Sequence, residues 1–108
     1  MMLEGLLYRV LEKVEGCARI QLLPESPVYA AHFPGFPVTP GVTLVQMGLE
    51  LMGNKLLSAK DIKFIVPVLP SKEGTVLSYE WSYPEEARAD VSVFLADGTL
   101  CAKMNLGV

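Results

Sequence analysis

Residues 28–41 hold Pro34, Pro37 and Pro40 together with Gly35 and Gly41, and the run that follows, VTLVQMGLELM at 42–52, holds no proline at all. Each proline fixes its own φ, withholds a backbone donor and pushes the residue before it out of the helical region. The first segment is therefore expected to be a stiff, shaped loop without regular structure. The second is expected to be a helix ending at Gly53 and Asn54, a natural stop. Its apolar residues Val42, Leu44, Val45, Met47, Leu49, Leu51 and Met52 cover most of the circumference, the pattern of a helix buried on most sides. A chain of 108 residues has room for one core, so that helix belongs at its centre and residues 1–108 read as a single domain.

The rest of the chain reads as the wrapping. Ile62, Phe64, Val66 and Val68 alternate with other residues as in a strand with one well-buried face. Leu77, Tyr79, Trp81 and Tyr83 repeat the pattern, and Val91, Val93 and Leu95 resume it after Pro84. Asp97-Gly98 is a tight hairpin turn before Leu100, Ala102, Met104 and Leu106. Residues 60–106 are thus expected to form an antiparallel meander of four strands. Residues 17–23 (CARIQLL) read as another strand, closed by a turn at Pro24, Ser26 and Pro27. The opening is ambiguous: Leu6, Leu7, Val10, Leu11 and Val14 fit a helical period, which periodicity alone favours, while Tyr8, Val10, Glu12 and Val14 suit a strand ending at Glu15-Gly16. The predicted class is α+β, an antiparallel sheet of about five to six strands around one central helix. Such a sheet has free edges, and a dimer joined edge to edge is expected.

Composition narrows the function classes. Nine basic against twelve acidic residues give a net charge of −3 and a pI near 5.0, without the basic patch that nucleic-acid binding needs. Arg9, Glu12, Lys13, Gln46 and Glu50 interrupt the longest apolar runs, so no membrane span is expected. The N-terminal segment lacks the basic region and cleavage site of a signal peptide, which points to the cytoplasm. Cys17 and Cys101 accompany no metal-ligand spacing and are read as small buried apolar residues. A hydrophobic content of 51% is high for a small monomer and fits burial against another subunit.

Two features carry chemistry. Thr43, Gln46, Glu50 and Asn54 form a polar stripe along the otherwise apolar helix, whose plain reading is a solvent-facing side. The single histidine, His32, opens the stiff loop just before the helix N-terminus. There an imidazole, with an ordinary pKa near ~6.5, stands beside unpaired helix N–H groups.

HFPGFPVTPGV at 32–42 closely resembles the HFPGxPVxPGV signature of the β-hydroxyacyl-acyl carrier protein dehydratases, hotdog-fold enzymes of fatty acid synthesis. LLYRVLEKVEG, IKFIVPVLP and ADGTLCAKMNL extend the resemblance over nearly the whole chain, and it implies that residues 6–14 form a strand in a hairpin with 17–23. By the same resemblance, a 3-hydroxyacyl group on the phosphopantetheine arm of acyl carrier protein loses water to give the trans-2-enoyl thioester, with no other cofactor and no metal. His32 would take the C2 proton, the Gly41 N–H would polarise the thioester carbonyl and the Val38 carbonyl would orient the imidazole. Phe33, Gly35, Phe36, Pro37, Val38, Pro40 and Val42 would form the substrate-binding surface, beside an apolar tunnel. The family's acid, a Glu or Asp on the partner subunit's helix fourteen residues after the histidine, is here Gln46, and its usual Gln four residues on is Glu50. An amide has no proton to give, and losing a general acid costs on the order of 10² to 10⁴ in rate.

Three readings result. In a working dehydratase, Glu50 or a water held by Gln46 supplies the proton. In a weakened acyl-binding chain, function lies in pairing with an active homologue. In a hotdog thioesterase, Glu50 activates water. A plainer role for Glu50 is pairing with a lysine such as Lys55 or exposure at the helix end. The expected assembly is a homodimer or a larger oligomer of dimers, with Arg9, Lys55, Lys60 and Lys63 as candidates for docking the acidic carrier. The short N-terminus relative to housekeeping members points to a specialised pathway, such as that of a polyene or secondary lipid.

Overall fold

The computed structural model describes residues 2–31 and 37–108. Strands β1 (Tyr8–Val14) and β2 (Cys17–Leu22) form a hairpin, followed by helices α1 (Pro27–Ala31) and α2 (Gly41–Met52). Strands β3 (Ser58–Phe64), β4 (Val76–Glu85), β5 (Arg88–Leu95) and β6 (Leu100–Gly107) complete one antiparallel sheet of order β1-β2-β4-β5-β6-β3. Along it, alternate residues turn to one face: Ala18, Ile20 and Leu22; Leu77 and Tyr79; Ala89, Val91 and Val93; Ala102, Met104 and Leu106. With Leu44, Val45, Met47, Leu49 and Leu51 of α2 they make one buried cluster. The architecture is the expected α+β hotdog fold.

Local chemistry sets the elements. A Cβ on Gly48 would lie 3.3 Å from the Tyr79 ring, so glycine allows α2 to lie close to the sheet. The Tyr79 hydroxyl donates to the Leu44 carbonyl at 2.7 Å, pinning helix to strand. At the far end Gly53 takes the left-handed conformation that a side chain resists, and the N–H groups of Gly53 and Asn54 cap the Glu50 and Leu49 carbonyls. The Asp97-Gly98 turn forms as expected, with the Asp97 carboxylate accepting from the Thr99 N–H at 2.9 Å.

Several expectations need correction. Residues 8–14 are the strand of a hairpin with β2 that the resemblance implies, and it is only the helical period that is overturned: Leu11 and Val14 stay exposed while the backbone pairs with β2. The four-strand meander is three strands, β4-β5-β6, while β3 crosses over to the free edge of β6. Nor does β3 have a well-buried face. Its ladder ends at Phe64, its register shifts between Lys60 and Lys63, and most of its residues are exposed. Residues 27–31 form a short helix inside the stretch expected to be irregular, since its three prolines all lie beyond it. Cys101 is buried, but Cys17 is exposed, one residue out of step with the inward positions Ala18 and Ile20. Val42, read as part of a buried helix surface, is 75% exposed.

Candidate functional site

The polar stripe of α2 is a hydrogen-bonded seam, not a solvated side. The Glu50 carboxylate lies half-buried near the helix C-terminus, where the macrodipole disfavours negative charge. Four donors offset this: the Leu3 N–H at 2.7 Å and the Gln46 amide at 3.0 Å on Oε2, and the Glu4 N–H at 3.0 Å and the Tyr8 hydroxyl at 2.9 Å on Oε1. Partial burial alone raises the carboxyl pKa, but the bonds from Leu3, Gln46, Tyr8 and Glu4 together outweigh it and hold the group below the usual carboxylate range. Burial, followed by the bond to Glu50, pushes the Tyr8 phenol far above its ordinary value. Glu50 is therefore an ionised acceptor at neutral pH with no proton to release. Its partners are two backbone N–H groups, the Tyr8 phenol and the Gln46 amide, not Lys55. Further along the stripe the Tyr83 hydroxyl donates to Asn54 at 2.8 Å, and at its start the Thr43 hydroxyl donates to the Pro40 carbonyl at 2.6 Å.

The opposite end of α2 is, among the described residues, the apolar one. Beside it lies an apolar cleft of about 400 Å³ lined by Val38, Thr39, Gly41, Val42, Leu44, Phe64, Val66, Pro67 and Val68. Pro40 is the N-cap, extended and without a side-chain cap, so the first helical N–H groups depend on partners from outside the helix. The Phe64 ring, 53% exposed, lies across Gly41, where an added Cβ would fall 2.6 Å from it. Thr39 is buried: its N–H donates to the Val68 carbonyl at 2.8 Å, and its hydroxyl shares a 2.9 Å hydrogen bond with Tyr29. That bond joins the segments preceding and following residues 32–36.

Of the residues singled out from sequence, Gly41, Val38 and Val42 come together in this cleft. Pro40 shapes the helix start, Pro37 is exposed, and Gln46 and Glu50 lie further along α2 in the seam. His32, Phe33, Gly35 and Phe36 lie outside the described residues. Thr39, Phe64, Val66, Pro67 and Val68 were missed. The alternation from Ile62 to Val68 marks most of them, but as strand packing; Pro67, beyond the end of β3, is the signal that they leave the ladder and are free to line a cleft. The aromatic row Tyr79, Trp81, Tyr83 is sheet packing first, with Tyr79 fully buried.

Two of the basic residues expected to dock a carrier, Lys60 and Lys63, sit elsewhere. Lys60 and Lys63 line, with Lys103 and Arg88, a polar groove of about 650 Å³ on β3, β5, β6 and the end of β4 that shares no residue with the apolar cleft. Acidic Asp61, Glu85 and Asp90 line it too, and Arg88 is engaged by Ser58 and Asn105. Arg9 bonds Gln21. Among the described residues no three His, Cys, Asp or Glu side chains converge as metal ligands, and no helix is long and apolar enough to cross a membrane.

The model of a family of ApeI-like proteins, described as ApeI dehydratase, matches residues 11–105. Among solved structures the chain is similar to the dehydratase heterocomplex ApeI:P from Xenorhabdus doucetiae, at 20% identity and a TM-score of 0.74 over 93% of this chain and 96% of that one. No curated protein matches the sequence.

Proposed function

This chain belongs to the ApeI-like dehydratase family, and on that premise we propose that it is one subunit of a dehydratase that removes water from a 3-hydroxyacyl thioester carried on acyl carrier protein. The observation that carries the proposal is the state of the α2 seam. Gln46 is an amide and Glu50 is an ionised carboxylate filled by four donors, so this chain's own helix holds no proton for a leaving hydroxide.

The consequence lies in pairing. If each site takes its histidine from one subunit and its acid from the other's central helix, a homodimer of this chain has two histidines and no acid. Pairing with a second hotdog chain that carries a carboxylic acid at the position of Gln46 completes one site around His32. Similarity in fold to a dehydratase heterocomplex supports such an assembly. Edge strand β3 is the side on which a partner sheet would add: Leu56, Leu57, Phe64 and Ile65 are exposed on or beside it. In the completed site His32 removes the C2 proton while the partner's acid protonates the departing C3 hydroxyl, giving water and the enoyl thioester. Charge developing on the thioester oxygen is met by the Gly41 N–H at the start of a helix of 12 residues. The acyl chain lies in the apolar cleft.

The test is dehydration of 3-hydroxyacyl thioesters on acyl carrier protein, followed in both directions, for the chain alone and for the chain co-expressed with an acid-bearing hotdog homologue. The pair should exceed the chain alone by about 10² to 10⁴, and His32→Ala in this chain should abolish the gain. Turnover by the chain alone at the paired rate, or a paired rate indifferent to His32→Ala, would overturn the proposal.

A further inference from the structure

In an unbroken strand, residues three apart face opposite sides of a sheet. Lys60 and Lys63 are three apart, yet they pair with Asn105 and Lys103, which share the outer face because Met104 between them is buried. The register shift between Lys60 and Lys63 takes up the extra residue, and Asp61 there has the left-handed backbone (φ 52) that aspartate tolerates better than most side chains. The bulge therefore brings both lysines onto the outer face of the sheet, into the groove of about 650 Å³ that Lys103 also lines. Lys63 and Lys103 stand directly opposite one another across the ladder, an arrangement that like charges disfavour. Protection of a free edge accounts for a lysine on β3, but not for Lys103 on β6, which has a neighbouring strand on each side.

At the far end of the groove the charges are matched. Arg88 donates to Ser58 and Asn105, the Asn105 amide donates to Asp90 at 2.6 Å, and Glu85 lies across the ladder from Arg88. The three lysines are not: among the described residues the one salt bridge joins Arg19 to Glu12. Of the acids lining the groove only Asp61 sits among them, so Lys60, Lys63 and Lys103 against Asp61 leave two positive charges over. Ser92, opposite Lys103 on β5, adds a hydroxyl to the same end.

We infer that the lysine end of this groove binds a small molecule bearing a diphosphate, held by the ammonium groups of Lys60, Lys63 and Lys103. A diphosphate spreads its charge over two phosphoryl groups and so reaches lysines on both β3 and β6, which a monatomic anion does not. A broad acidic surface laid over the whole groove would meet Glu85 and Asp90 as well, which confines the ligand to a compact one. The site stands apart from the acyl cleft and does not depend on the dehydratase reading: Lys63 lines the groove, while Phe64, next in sequence and paired with the buried Ala102, lines the cleft.

The test is calorimetric titration of the chain with inorganic pyrophosphate, ADP and sulfate, without divalent cations and at one fixed, near-physiological ionic strength. Pyrophosphate should bind saturably and more tightly than sulfate. Lys63→Gln and Lys103→Gln should each weaken it about three- to ten-fold. Asp61→Asn, which keeps a residue suited to the left-handed turn and removes the opposing charge, should strengthen it. Lys72→Gln, outside the groove, should change nothing. ADP bound at least as tightly as pyrophosphate would support the site as one for a phosphorylated metabolite, and pyrophosphate bound in preference to ADP would support it as one for the free anion. A titration that does not saturate, sulfate bound as tightly as pyrophosphate, a loss in Lys72→Gln equal to that in Lys63→Gln, or an Asp61→Asn variant that binds no more tightly would each overturn the inference and leave the dehydratase proposal standing.

Discussion

The two ends of α2 are built on opposite plans. At the C-terminal end the polar groups are engaged: Glu50 is filled by four donors, Gly53 and Asn54 cap the Glu50 and Leu49 carbonyls, and Tyr83 reaches Asn54. At the N-terminal end the cap is a proline without a side-chain bond, Val42 stands exposed, and a cleft opens under Phe64. One end is held by the chain itself; at the other, the described residues leave an apolar cleft beside the positive end of the helix dipole.

Substitutions at each end should separate these plans. The largest effect is expected from Glu50→Leu, which strands the Leu3 and Glu4 N–H groups and the Tyr8 hydroxyl. A loss of about 2 to 3 kcal/mol in urea denaturation is expected. Because the folded carboxyl lies below its ordinary value, its contribution is fully present above the unfolded pKa and is lost as pH falls through the folded one. Glu50→Gln should therefore flatten the acid limb of a stability-versus-pH curve and leave the neutral-to-alkaline part parallel to the original. An acid limb unchanged in that variant would break the account of Glu50 as an ionised clamp. Gly53→Ala, forced into a left-handed turn at φ 73, should cost about 1 kcal/mol.

The smallest effect on stability belongs to the open end. Gly41→Ala drives a methyl into the Phe64 ring, but that ring is half exposed and can swing aside, so the melting point should barely move. Acyl-thioester binding should fall, because the displaced ring narrows the cleft. A large destabilisation by Gly41→Ala would show that the N-terminal end is as finished as the other.

Legibility in the sequence follows the same division. The helix, its stop and strands β2, β4, β5 and β6 could be read because their side chains repeat with a clean period and bury one face. β1 could not be decided by period alone: Leu6, Leu7, Val10, Leu11 and Val14 satisfy a helix, and only pairing with β2 settles it. The place of β3 beside β6 depends on a crossover that no local pattern encodes. Its alternation predicts a buried face, yet most of its residues are exposed in this chain by itself. Among site residues, Gly41, Val38 and Val42 were named by the resemblance of HFPGFPVTPGV to the dehydratase signature, not by any local pattern. The clamp on Glu50 was not, because its donors at Leu3 and Glu4 are backbone groups, and a backbone N–H leaves no trace in residue type.

That clamp also bears on the order in which the chain folds. The bond from the Leu3 N–H to Glu50 spans 47 positions of sequence, so its closure carries a loop-entropy cost, and it is expected to form only once the sheet and α2 have met. Contacts made after the rate-limiting step leave the folding rate alone and set how fast the native state opens. The first residues of the chain thus act on the lifetime of the folded protein, holding shut an assembly they had no part in nucleating.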